Sequence, residues 1–141
     1  MLERKAFWAC AAVVGLGLAG SGCSSAAQYV LIGTPRAPAA DGWAEVDVAD
    51  RSAAELVLDL RHLPPPTEVQ PETTCYVVWA RPSVGKPVRL AVLQYNRQTW
   101  TSGLTVRAPL RAFTLLVTAE KSPNEPRPSA LIVVERSVSV D

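Results

Sequence analysis

The chain has 141 residues, of which 48% are apolar, enough for one hydrophobic core and too few residues for two large domains. Its 14 basic and 13 acidic residues leave a formal charge of +1, with no basic stripe, which argues against nucleic-acid binding. One histidine and three cysteines are too few and too scattered for a zinc site or an internal disulfide framework.

The N-terminus reads MLERKAFWACAAVVGLGLAGSGC. Arg4 and Lys5 precede an apolar run from Ala6 to Ala19, and small residues lead to Cys23. That three-part layout is a secretory signal, and the run is short for a membrane-spanning helix. Cys23 after Ser21-Gly22 resembles a bacterial lipobox, although Gly20 stands where leucine is usual. The resemblance implies cleavage after residue 22 and acylation of Cys23, which becomes the first mature residue. The expected division is a signal peptide over 1–22, a lipid-anchored tether over 23–41 and a folded domain over 42–141. Loss of Glu3, Arg4 and Lys5, which together carry +1, brings the mature charge to zero. Ser24 is not acidic, which implies the outer membrane, facing the periplasm, in a host with two membranes.

The tether contains QYVLIG, a candidate first strand, and the proline-bearing TPRAPAAD. From Gly42 the pattern has period two. Ala44, Val46 and Val48 share one face, and Ala54, Leu56, Leu58 and Leu60 share another, with ADRSA as a hairpin link. LPPP then ends the strand and forms a crossover between sheets, and a polyproline ligand is the alternative reading. Cys75 to Ala80 and RLAVLQY (89–95) are apolar on both faces and read as central strands. A short strand follows from Gly103, then FTLLVTAE (113–120), then ALIVVERSVSV with a break expected near Arg136. Seven to eight short strands predict an all-β, antiparallel, immunoglobulin-like β-sandwich, with a small barrel as the alternative.

Several residues invite chemistry. With Cys10 removed and Cys23 acylated, Cys75 has no internal partner; the expectation is core filling, against an intermolecular disulfide or a redox thiol. His62 reads as a strand-end histidine. Asp47, Glu55, Asp59, Glu120 and Glu135 fall on outward faces or strand ends, with no motif pairing two of them for glycoside hydrolysis. Trp79 reads as core. Trp100 lies in the polar loop NRQTWTSG and is the candidate partner contact, able to stack on a sugar or anchor a protein, with a tryptophan folded back onto the sandwich edge as the competing reading. No catalytic residue, metal ligand or cofactor is expected.

The succession LDLRHLPPP, CYVVWARP, VLQYN, RAFTLLVTAE and SPNEPRPSALIVVE is similar to the extracytoplasmic domain of anti-sigma-K-type factors. In that family a Leu-Pro-Pro strand end is followed by Tyr-x-x-Trp-Ala, here Tyr76, Trp79 and Ala80. A Phe-x-x-x-Val-Thr-x-Glu strand, here Phe113, Val117, Thr118 and Glu120, leads to a proline-bearing loop. The resemblance covers roughly residues 54 to 135 and implies a β-sandwich. The family's sigma-binding helices and spanning helix are not read in this sequence, so direct sigma-factor binding is not expected. The expected function is a lipid-anchored, non-enzymatic envelope interaction or sensory module, held by the membrane and contacting an envelope protein or glycan. A small cell-wall or carbohydrate-active enzyme and a purely structural envelope protein are the alternatives.

Overall fold

The computed structural model describes residues 26–141. The expected signal peptide, Cys10, the acylation residue Cys23 and Ser24 lie outside the described residues. Among the described residues, nine strands form two antiparallel sheets. The first sheet has the order β1 (Ala27–Ile32), β2 (Asp41–Asp50), β3 (Ala53–Arg61), β7 (Thr101–Ala108), β6 (Gln94–Asn96). The second has the order β5 (Val88–Val92), β4 (Cys75–Arg81), β8 (Ala112–Glu120), β9 (Ile132–Ser139). A single helical turn, α1 (Pro66–Val69), lies in the β3–β4 connection.

The alternation read in the sequence places the core. Ala44 and Val46 of β2 and Ala54, Leu56, Leu58 and Leu60 of β3 are buried, facing Tyr76, Val78, Ala80, Leu115 and Val117 of the other sheet. Side chains of period two on two stacked sheets interdigitate in this way and remove one face of each from water. Val48 keeps the register of that face, opposite Ala54, but is exposed at the hairpin end, beyond the Ala27↔Val46 pair where β1 stops. There Asp50 Oδ1 accepts the Ser52 amide at 2.8 Å, closing the turn.

LPPP is the crossover from one sheet to the other. Two tyrosines hold it: Tyr76 Oη of β4 donates to the Pro64 carbonyl and Tyr95 Oη of β6 to the Leu63 carbonyl, each at 2.5 Å. Their rings meet edge to face with centroids 5.7 Å apart. A proline-rich segment has few amide donors, so its carbonyls need outside partners, and the tyrosines supply them.

Four expectations are corrected. Residues 27–41 of the expected tether are part of the fold: β1 pairs with β2 from Ala27↔Val46 to Ile32↔Asp41, and the following turn buries Ala37 and Ala40. Gly33 N–H donates to the Ala40 carbonyl at 2.8 Å, and Thr34 bonds to Val133 and Ile132, so the turn stitches β1 to β9 at the sandwich edge. The run RLAVLQY is not one central strand. It divides at buried Leu93 into β5, an edge strand of one sheet, and β6, an edge strand of the other. That division, with β1, raises the strand number to nine. The strand expected to start at Gly103 begins at Thr101 and has eight residues, because residues 102–108 pair with β3 and residues 101–103 with β6. β9 is continuous through Arg136, and its register shift falls opposite Val117 and Thr118 instead.

Candidate functional site

The outer face of the four-stranded sheet carries a second, smaller apolar layer. On β4 the residues alternating with the core-facing set are Cys75, Val77, Trp79 and Arg81, and β8 adds Thr114, Leu116, Thr118 and Glu120 beside them. Val77, Trp79 and Leu116 are fully buried there, with Cys75 and Ile132 packed against them. The proline-rich segment 121–131 provides the cover. Arg89 of the edge strand donates to the Pro123 carbonyl, and Ser129 Oγ donates to the Ala119 carbonyl at 2.9 Å.

A chain of hydrogen bonds runs beneath this cover. Trp79 Nε1–H donates to Thr118 Oγ1 at 2.8 Å, Thr118 Oγ1–H donates to Glu120 Oε2, and the Ser129 amide donates to the same carboxylate oxygen at 2.8 Å. Glu120 stands at the outward-facing end of β8, where the sequence put it, but it is only 3% exposed, because the loop folds back over it. Its oxygen already accepts two bonds, so it is a structural acceptor and not a free base. The motif residues Tyr76, Trp79, Thr118 and Glu120 thus serve the crossover and the loop cover, and both roles are architectural.

Cys75 is half-buried, not fully enclosed, and is the one free cysteine among the described residues. Burial pushes its thiol pKa up, with the nearby carboxylates Glu120 and Glu125 adding to the shift. A raised pKa keeps the sulfur protonated and weakly nucleophilic.

His62 and Trp100 lie at the other rim of the five-stranded sheet, and both have left-handed backbone, at φ 57° and 59°. The backbones meet where Leu63 N–H donates to the Trp100 carbonyl at 3.0 Å. Asp41 Oδ1 is 2.7 Å from His62 Nδ1, and Asp41 Oδ2 accepts from Arg61 at 2.9 Å. The His62 contact, with Arg61 beside it, holds the Asp41 carboxyl below its usual range. This is a solvent-exposed pair of contacts at a strand end, as the sequence suggested for His62. Trp100 closes the turn after β6, its amide donating to the Asn96 carbonyl at 2.8 Å, and 38% of its surface is exposed.

Exposed apolar side chains collect at the opposite edge of the same sheet. Val30 and Ile32 of β1 are 66% and 70% exposed, and Trp43, the direct partner of Val30 across the β1–β2 ladder, is also exposed. All three point away from the core, with Glu45 and Asp41 alternating around Trp43 on β2. The sequence reading missed this patch. Its signal was present: β1 places apolar residues on both faces, although it lies at a sheet edge.

Clefts open at three places on the surface of the described residues. One of 350 Å³ is lined by Tyr29, Arg81, Ser83, Thr114, Ser137 and Ser139 among others, with Arg81 held by Glu135 at 2.9 Å. One lies between Lys86-Pro87 and Pro126-Arg127, and one of 280 Å³ lies beside Glu120, Lys121 and Glu125. Of the carboxylates weighed for a catalytic pair, Asp59 sits beside Trp43 on the outer face of the first sheet, Glu55 lies opposite Arg107, and Glu135 pairs with Arg81 on the second. Among the described residues, no group of three or more His, Cys, Asp or Glu side chains is placed to hold a metal ion. The chain matches no protein-family model, no curated protein and no solved structure.

Proposed function

We propose that this chain is a lipid-anchored envelope protein whose β-sandwich works as a non-catalytic interaction or sensory module, related to the outer domains of anti-sigma-K-type factors. The strand order supports an immunoglobulin-like topology within it. Strands β2-β3-β7-β6 follow the A-B-E-D order and β5-β4-β8-β9 the C′-C-F-G order, with β1 added outside A. The anchor rests on the sequence around Cys23, and periplasm-facing placement at the outer membrane rests on Ser24.

The observation that carries the interaction reading is the patch of Val30, Ile32 and Trp43 at the β1 edge. Contiguous apolar side chains at a sheet edge are costly to leave in water and are a common feature of surfaces that meet a partner. An enzyme would instead gather titratable groups with displaced pKa values in one cleft. Here Asp41, Asp50 and Glu72 are lowered by exposed local hydrogen bonds and ion pairs at separate places. Tyr76 and Tyr95 are raised by burial, Tyr95 to about 12, and both donate to backbone carbonyls.

The test is photocrosslinking in living cells with a reactive residue at position 32 or 43, compared with position 105 on the same face. The module reading expects a discrete envelope adduct from 32 and 43 that is absent from 105. Equal, diffuse labelling at all three positions contradicts it.

A further inference from the structure

We propose that one rim of the sandwich rests on the phospholipid headgroups, with the β4–β5 loop carrying Val84 and Lys86 as its contact. The inference depends on the anchor at Cys23 and adds where the domain sits. β1 begins at Ala27, so 27 − 23 = 4 Cα-to-Cα steps link the acylated position to the fold. Fully extended, four residues reach about 14 Å. Ala27 pairs with Val46, and β2 continues beyond that pair to Asp50, another 50 − 46 = 4 residues. At the rise of a strand, the β2–β3 hairpin therefore projects about 13 Å past the start of β1. Even fully extended, the tether exceeds the projection by only about 1 Å. It cannot lift the rim away from the plane of the headgroups.

The β4–β5 loop belongs to the same rim. Ser83 shares a cleft with Tyr29 of β1 and Ser139 of β9, and Tyr29 Oη donates to the Ser139 carbonyl at 2.8 Å. The antiparallel β4–β8 ladder reaches Arg81↔Thr114, so continuing it brings residue 83 level with Ala112, at the start of β8. At the loop's tip Val84 is 86% exposed, the most exposed large apolar side chain among the described residues. Pro82 and Pro87 bracket it and restrict the backbone. Lys86 is exposed two residues on. An apolar tip beside an ammonium group matches a headgroup layer, where the valine leaves water and the lysine meets phosphate. An exposed loop tip on a rim held at this distance has one large surface within reach, the bilayer that holds the acyl chains.

The two lysines of the described residues allow a test within one molecule. Lys86 lies on this rim, whereas Lys121 follows Glu120 at the far end of β8 and pairs with Glu72. The full-length chain is expressed in cells, purified in its processed form and reconstituted into phosphatidylethanolamine–phosphatidylglycerol vesicles. Flotation is checked, and the protein is then labelled with an impermeant amine reagent and mapped by peptide mass spectrometry. The expected result is flotation, with a Lys86-to-Lys121 labelling ratio several-fold lower than that of Val84→Asp on the same vesicles. Flotation with equal ratios in the two proteins overturns the rim contact and leaves the anchor standing. Failure to float overturns the anchor, and the rim contact falls with it.

Discussion

Trp79 of β4 and Thr118 of β8 are joined by a 2.8 Å hydrogen bond on the face of the sheet that points away from the sandwich core. Both side chains are fully buried, because segment 121–131 closes over them. Thr118→Val keeps the shape and removes the hydroxyl, leaving the indole N–H and the Glu120 carboxylate each short of a partner. Urea melts are expected to show a loss of about 2–4 kcal/mol, the scale for stranded buried polar groups. Thr105→Val, exposed on the outer face of the first sheet, is expected to stay within about 0.5 kcal/mol. Equal melts for the two variants would show that the cover is not closed.

Val77 and Val78 are consecutive and both fully buried, Val77 under the outer layer and Val78 in the main core. Val77→Asp and Val78→Asp each place a carboxylate where it has neither water nor a partner. Each is expected to destabilise by several kcal/mol, against roughly 5–15 kcal/mol available to a domain of this size. A Val77→Asp protein that melts like its parent would mean that the loop opens readily over that face.

The sheet faces were legible because β2 and β3 alternate cleanly, Leu56, Leu58 and Leu60 against Glu55, Val57 and Asp59. The apolar run of β4 announced cover on both sides, although nothing in it says that the outer cover is a loop. Strand β1 was harder. Its solvent face carries Val30 and Ile32, so it lacks the polar contrast that marks a half-buried strand, and it sits beside TPRAP. The division at Leu93 was not legible, since one apolar run serves two sheets and only tertiary packing decides where it turns. The burial of Glu120 depends on Ser129, nine residues later, which no local pattern encodes. Trp100 was read as a polar-loop residue and is one, whereas Trp43, in a strand, escaped notice.

Gly33 tests whether the segment before β2 belongs to the fold. A Cβ at Gly33 would stand 1.8 Å from the Ala37 carbonyl oxygen, which is backbone and cannot move alone. Gly33→Ala is expected to cost about 3 kcal/mol, at the upper end for overpacking, with a lower midpoint in thermal melts. A neutral result would return residues 33–40 to the status of a tether.

The raised thiol pKa of Cys75 sets its reactivity. Because burial disfavours the thiolate, alkylation of the native protein is expected to be slow at neutral pH. The rate should climb only as the pH passes above the ordinary thiol range. Stopped alkylation followed by intact mass gives the profile. Rapid modification at neutral pH would restore the redox reading.

The intact mass of the protein extracted from cell membranes tests the membrane anchor most directly. The expected product is a polypeptide beginning at Cys23 and carrying acyl chains, with membrane association lost in Cys23→Ala. A mature chain that begins elsewhere, or begins at Cys23 with no added lipid, would contradict it.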